Sequence, residues 1–202
     1  DNEKIELEQL CSEFYHRHTQ ELGSYIKRLL ELRKISTEDD PEEYAEAVKD
    51  EEEYNEQFEL ESEKEIYQLD DEQRLEIKKA YRQASQICHP DRVNEKMKDI
   101  AQEIFIKLNE AYKKNDVDEV KQILSELRQD IFKPRSETVS ESDQLKIIIK
   151  TLKHKIENLE DEIFIIKDSE DYQTISSIDD WNIYFEDVKA QLIEEIDYLE
   201  PN

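Results

Sequence analysis

A chain of 202 residues with one glycine, Gly23, and four prolines, Pro41, Pro90, Pro134 and Pro201, has little turn chemistry from which to build a sheet. Glu, Lys, Leu, Gln and Ile are abundant instead, and the composition predicts an all-α fold. Apolar residues make up 36% of the chain and charged residues 41%. That is too apolar and too periodic for disorder, yet too polar for one large spherical core. Elongated helices with narrow apolar seams satisfy both limits.

The seams can be read directly. Residues 3–35 predict one long helix whose seam is Leu7, Leu10, Phe14, His18, Leu22, Tyr25, Leu29 and Leu32. Residues 36–43 break the pattern, and either Thr37 followed by Asp40 or Asp40 followed by Pro41 would start the next helix. That helix is expected to reach about Leu69, with a break near residue 50 and anchors at Tyr44, Val48, Tyr54, Phe58, Ile66 and Leu69. Residues 71–88 predict a helix with Leu75, Ala80, Tyr81, Ala84 and Ile87 on its apolar side, ending before Pro90. Residues 95–114 predict another, striped by Ile100, Ala101, Ile104, Phe105, Leu108, Ala111 and Tyr112. Asp116 then caps a short helix carrying Val120, Ile123, Leu124 and Leu127.

Pro134 to Ser142 reads as a linker. Beyond it Leu145, Ile149, Leu152, Ile156, Leu159, Ile163 and Ile166 form the most regular heptad of the chain. A polar break at 168–176 precedes a capped last helix with Ile178, Trp181, Phe185, Val188, Leu192, Ile196 and Leu199 on its seam. Two seamed helices joined by a short polar loop predict an antiparallel hairpin. The first helix is left with a seam to pair, either with that hairpin or with a second chain.

The net charge of −26 is unevenly spread. Residues 1–70 carry 23 acidic and 8 basic side chains, whereas residues 71–114 carry 8 acidic and 10 basic ones. Such a surface repels a phosphate polyanion, so nucleic acid is excluded as the main partner. The basic island suggests docking on an acidic protein surface. Two cysteines, Cys11 and Cys88, make no disulfide framework, which points to a reducing, cytoplasmic setting. The longest apolar runs, Ile147–Ile149 and Ile163–Ile166, are too short to span a bilayer, and no secretory signal is visible. A start at Asp1, with Met97 the only methionine, reads as a fragment of a longer chain.

Three stretches occur in order: Glu76-Ile77-Lys78-Lys79-Ala80-Tyr81-Arg82, His89-Pro90-Asp91-Arg92, and Phe105-Ile106-Lys107-Leu108-Asn109-Glu110-Ala111-Tyr112. Together they resemble the J-domain family, which shows a basic helix, a His-Pro-Asp loop and a second helix closing on Glu-Ala-Tyr. The resemblance covers roughly residues 60–114, about a quarter of the chain. It implies a co-chaperone of the DnaK-type heat-shock ATPases, with Lys78, Tyr81, Arg82 and Arg92 as docking contacts and His89, Pro90 and Asp91 as the activating element. No residue of this chain would then perform chemistry, and no cofactor or metal is implied. The expected organisation is a long N-terminal helix or coiled coil over 1–50, a J-domain with atypical first and last helices over 51–130, and a helical hairpin over 141–202. The attachments are expected to recruit a client protein or to assemble a homodimer through the coiled coil.

Three departures from the family stand out. Cys88 replaces the usual aromatic before the loop, where it acts as a small hydrophobe. The last helix is the amphipathic 116–127 segment, and the first helix is only suggested by Tyr67 and Leu69. The glycine-phenylalanine region and zinc repeats of full-length relatives are missing, as in the class that keeps only the J-domain. His16 and His18, two apart on a helix, do not share a face for a metal, and His18 fits a seam position. The rival reading is a coiled-coil adaptor with a non-activating J-like hairpin. A metal-dependent or nucleotide-binding enzyme has no supporting motif.

Overall fold

The computed structural model describes residues 1–94, 97–129 and 142–200, with the backbone alone for 142–148. The described residues form helices α1 (Asn2–Ser36), α2 (Pro41–Ser62), α3 (Asp71–Cys88), α4 (Lys98–Lys113), α5 (Val117–Arg128), α6 (Ser142–Asp168), α7 (Glu170–Ser177) and α8 (Trp181–Leu199). The all-α expectation holds. The linker at Pro134–Ser142 and the side chains of Leu145, Ile147 and Ile148 lie outside the described residues. No described helix is long and apolar enough to cross a membrane.

The chain divides into two compact units. The first holds Asp1–Leu10 and Ile66–Ser169, and its core joins α3, α4 and α5. From α3 come Ile77, Ala80, Tyr81, Ala84 and Cys88, from α4 Leu108, Ala111 and Tyr112, and from α5 Val120, Ile123, Leu124 and Leu127. Each set follows the i, i+3, i+4, i+7 spacing of one helical face. Leu75, expected on the α3 stripe, is instead 72% exposed. Ile77, three residues before Ala80 and four before Tyr81, fills the role, because Leu75 lies about 200° round the helix from it. Ile100, expected on the α4 stripe, is exposed too.

The helix expected to reach Leu69 stops at Ser62 and has no break at residue 50. The reason is tertiary. The Tyr67 amide donates to the Lys114 carbonyl (2.9 Å), and Asn115 Nδ2 donates to the Tyr67 carbonyl (3.0 Å), which holds the segment out of helix. Asn115 is buried, has φ 61°, and accepts from Gln9 Nε2 at 2.7 Å. Asparagine tolerates this left-handed backbone better than other branched or bulky residues.

The second unit holds Cys11–Glu65 and the chain from Glu170 on. Its core includes Phe14, Leu22, Leu29 and Leu32 of α1, Ile175 of α7 and Phe185 of α8. Phe14 meets Trp181 at 5.2 Å, Tyr184 at 5.8 Å and Phe185 at 5.3 Å between ring centres. Gly23 sits in mid-helix because the Phe58 ring of α2 packs on its bare backbone, where a Cβ would collide. Lys27 Nζ lies 3.9 Å from the centre of the same ring.

α6 groups with the first unit, whereas α7 and α8 group with the second. The aromatic seam of α8 finds its partner in Phe14 of α1. The polar stretch 168–176, expected as a break, is largely helical, because Thr174 Oγ1 donates to the Glu170 carbonyl and Ser177 Oγ to the Thr174 carbonyl. Hydroxyls that bond back to the preceding turn let polar residues sit within a helix.

Candidate functional site

Asp70 starts α3 through a capping box. Its carboxylate accepts the Gln73 amide at 2.8 Å, while Gln73 Oε1 accepts the Asp70 amide at 3.1 Å. Eighteen residues later the helix ends at Cys88. The next four residues form a β-turn closed by the Arg92 amide donating to the His89 carbonyl at 2.8 Å, with Pro90 at its second position. Val93, 3% exposed, anchors the far side of the turn in the core.

The turn is held by the His89 ring. Its Nδ1 accepts the Asp91 amide at 3.2 Å and its Nε2 meets the Asp1 carboxylate at 2.5 Å. One nitrogen accepts and the other donates, as in a neutral imidazole. Burial lowers the pKa of His89, which favours that form. Phe105 of α4 packs on the ring at 5.0 Å. Asp91 points outward. Burial acts to raise its pKa, but the Lys155 ammonium, 2.5 Å from Oδ2, outweighs it and holds the carboxyl below its ordinary value. Asp91 is therefore a carboxylate at neutral pH, carried on a rigid, proline-containing tip.

Lys78 and Arg82, one turn apart, share the outer face of α3. Both pair with one carboxylate. Lys78 Nζ lies 2.8 Å from Glu6 Oε2, and Arg82 Nη2 lies 2.6 Å from Glu6 Oε1. Pro90 is half-buried, while Asp91, Arg92 and Lys79 are exposed.

Tyr81 differs from expectation. Read as a docking contact, it is fully buried, and its ring lies 4.2 Å from that of Tyr112. Its hydroxyl donates to Asn109 Oδ1 at 2.8 Å, and burial raises its pKa so that it stays a donor. Tyr81 belongs to the core of this state. Cys88 is fully buried as well, and burial pushes its thiol up to about 11, so it is an unreactive packing group.

Sequence reasoning put His89, Pro90 and Asp91 in a loop at the tip of the hairpin and Lys78 and Arg82 on the outer face of its first helix, whereas the structure has the first three in the turn after α3 and the last two on α3 paired with Glu6. It missed Glu6, Asp1 and Lys155, which belong to other helices, and it missed Asn115. The approach of Glu6 left no signal beyond the acidity of α1, since most charges on a helix face are simply solvated. Among the described residues, no group of three or more His, Cys, Asp or Glu side chains is placed to hold a metal.

Residues 65–126 match the family model of the DnaJ domain. The match assigns these residues, about a third of the chain, to a DnaJ domain, which in general implies co-chaperone activity toward DnaK-type heat-shock ATPases. The match runs from the extended segment at Tyr67 into α5. No curated protein and no solved structure matches the chain.

Proposed function

We propose that the chain docks on a DnaK-type chaperone through Lys78, Arg82 and Arg92, and that His89, Pro90 and Asp91 stimulate ATP hydrolysis by that partner. The observation that carries this is the Asp91 carboxylate, exposed on a turn that His89 and Pro90 hold rigid, beside a cationic helix face. A carboxylate so presented makes charge-assisted hydrogen bonds to a partner arginine. Rim cations steer the encounter with an acidic surface. The chemistry belongs to the partner's ATPase site, and this chain acts by binding.

The other helices supply the particular role, recruiting a client protein or assembling a homodimer. Ile149, Leu152 and Ile156 of the α6 seam, 44–54% exposed, support pairing of that helix as a coiled coil. Cys11 and Cys88, not joined in a disulfide, fit a reducing cytoplasmic setting.

Steady-state ATP hydrolysis by a DnaK-type chaperone tests the proposal. Hydrolysis is expected to rise on addition of the native chain and to stay at its basal rate with His89→Gln, which keeps bulk and polarity but lacks the imidazole. Equal failure of both proteins would favour the adaptor reading.

A further inference from the structure

The side chains expected to meet the partner are already engaged within the chain. The first residues of α1 run antiparallel to α3. Gln9 meets Asn115, Glu6 meets Lys78 and Arg82, Asn2 Oδ1 accepts from Ser85 Oγ at 3.2 Å, and Asp1 meets His89. Asn2 and Glu6 on α1, and Lys78, Arg82 and Ser85 on α3, are each about one helical turn apart, so these two rows face each other, with His89 just beyond the end of α3. Lys155 of α6 closes the row on Asp91.

We propose that residues 1–10 of α1, with Lys155, form a built-in cover of the docking face, which a DnaK-type partner displaces in order to bind. The proposal rests on the function argued above and adds its regulation. The chemistry of the cover matches that of a partner. Glu6 offers Lys78 and Arg82 the carboxylate that an acidic docking surface would offer, and Lys155 offers Asp91 a cation. Tyr81 is buried in the core, and the charges of Glu6 and Glu8 on the same segment add to the burial that raises its pKa.

The cover is also built to exchange. Of its ten residues only Leu7 is buried, with Ile5 packed partly against the core. The rest of its grip is polar, through pairs such as Glu6 with Lys78 and Glu8 with Lys113 (2.8 Å), in which the lysine side chains are nearly half exposed. Exposed ion pairs hold weakly and re-form readily with a competing surface. A partner that binds only the uncovered form sees its affinity reduced by the fraction of chain that is open.

The test uses the full chain and ATP hydrolysis by a DnaK-type chaperone. Glu6→Gln combined with Lys155→Gln should lower the half-maximal concentration for stimulation by about tenfold. In a Cys11→Ser background, Asn2→Cys with Ser85→Cys should form a disulfide under mild oxidant. The cross-linked chain should lose stimulation and regain it on reduction. Native, uncovered and cross-linked chains of equal potency would overturn the cover. Failure of the cross-link to form, with native stimulation intact, would overturn the cover and leave the docking function standing. A cross-link that forms while no version stimulates hydrolysis would overturn the docking function, and the regulation with it.

Discussion

Phe185→Ala is expected to destabilise the second unit by about 3–5 kcal/mol, the range for removing a fully buried aromatic ring. Phe185 is 1% exposed, its ring packs against Phe14 and Tyr184, and the Arg17 guanidinium lies 4.7 Å from its centre. Truncation removes all these contacts at once and leaves a cavity that α1 and α8, being continuous helices, cannot readily collapse to fill. The only tryptophan, Trp181, packs on the same Phe14 ring, so its fluorescence reports this unit. A urea titration followed at Trp181 should show the midpoint lowered by about 2 M at an ordinary slope. Phe185→Leu, which keeps most of the volume, should cost under about 1.5 kcal/mol. A midpoint unmoved by the alanine variant would mean that α8 is not held by this ring.

Tyr81→Ala should destabilise the DnaJ domain by a similar amount, about 3–5 kcal/mol. Tyr81→Phe should cost about 1 kcal/mol, since only the bond to Asn109 is lost. The pair separates two roles for this residue. If Tyr81 is a core side chain, its alanine variant unfolds earlier in a thermal melt followed by circular dichroism, and the phenylalanine variant stimulates the partner nearly as well as the native chain. A Tyr81→Ala protein of native stability would contradict the core role and return Tyr81 to the docking surface.

Tyr81 also shows how far the sequence could be read. Helical spacing places it on the apolar side of α3, with Ala80 and Ala84, and that is where it lies. Its assignment as a docking contact came by resemblance, and the resemblance carried no information about its burial against Tyr112. Local chemistry was legible at several helix ends. The ends of α3 follow from the start at Asp71 and from Pro90, and the Asp116 cap of α5 stands where its sequence places it. Partner choice was not legible. The α8 seam meets Phe14 of α1 through ring contacts that seam spacing alone does not specify. The exposure of Leu75 and the burial of Ile77 mark the same limit, since two apolar residues two apart both suit a helix and only packing selects one.

The docking residues thus combine a legible part with an illegible one. The His89-Pro90-Asp91 turn is written in consecutive residues, whereas its occupation by Glu6, Asp1 and Lys155 depends on helices distant in sequence. Both bear on the proposed activity, and Asp91 is the exposed carboxylate of the turn. Single-turnover hydrolysis by a DnaK-type chaperone preloaded with ATP, titrated with the native chain and with Asp91→Asn, is the most direct measurement. The rate should climb to saturation with the native chain and stay flat with the variant, which keeps the shape of the turn and loses its charge. A rate that the native chain leaves unchanged, or that both proteins raise alike, would contradict the assignment of Asp91 as the activating group.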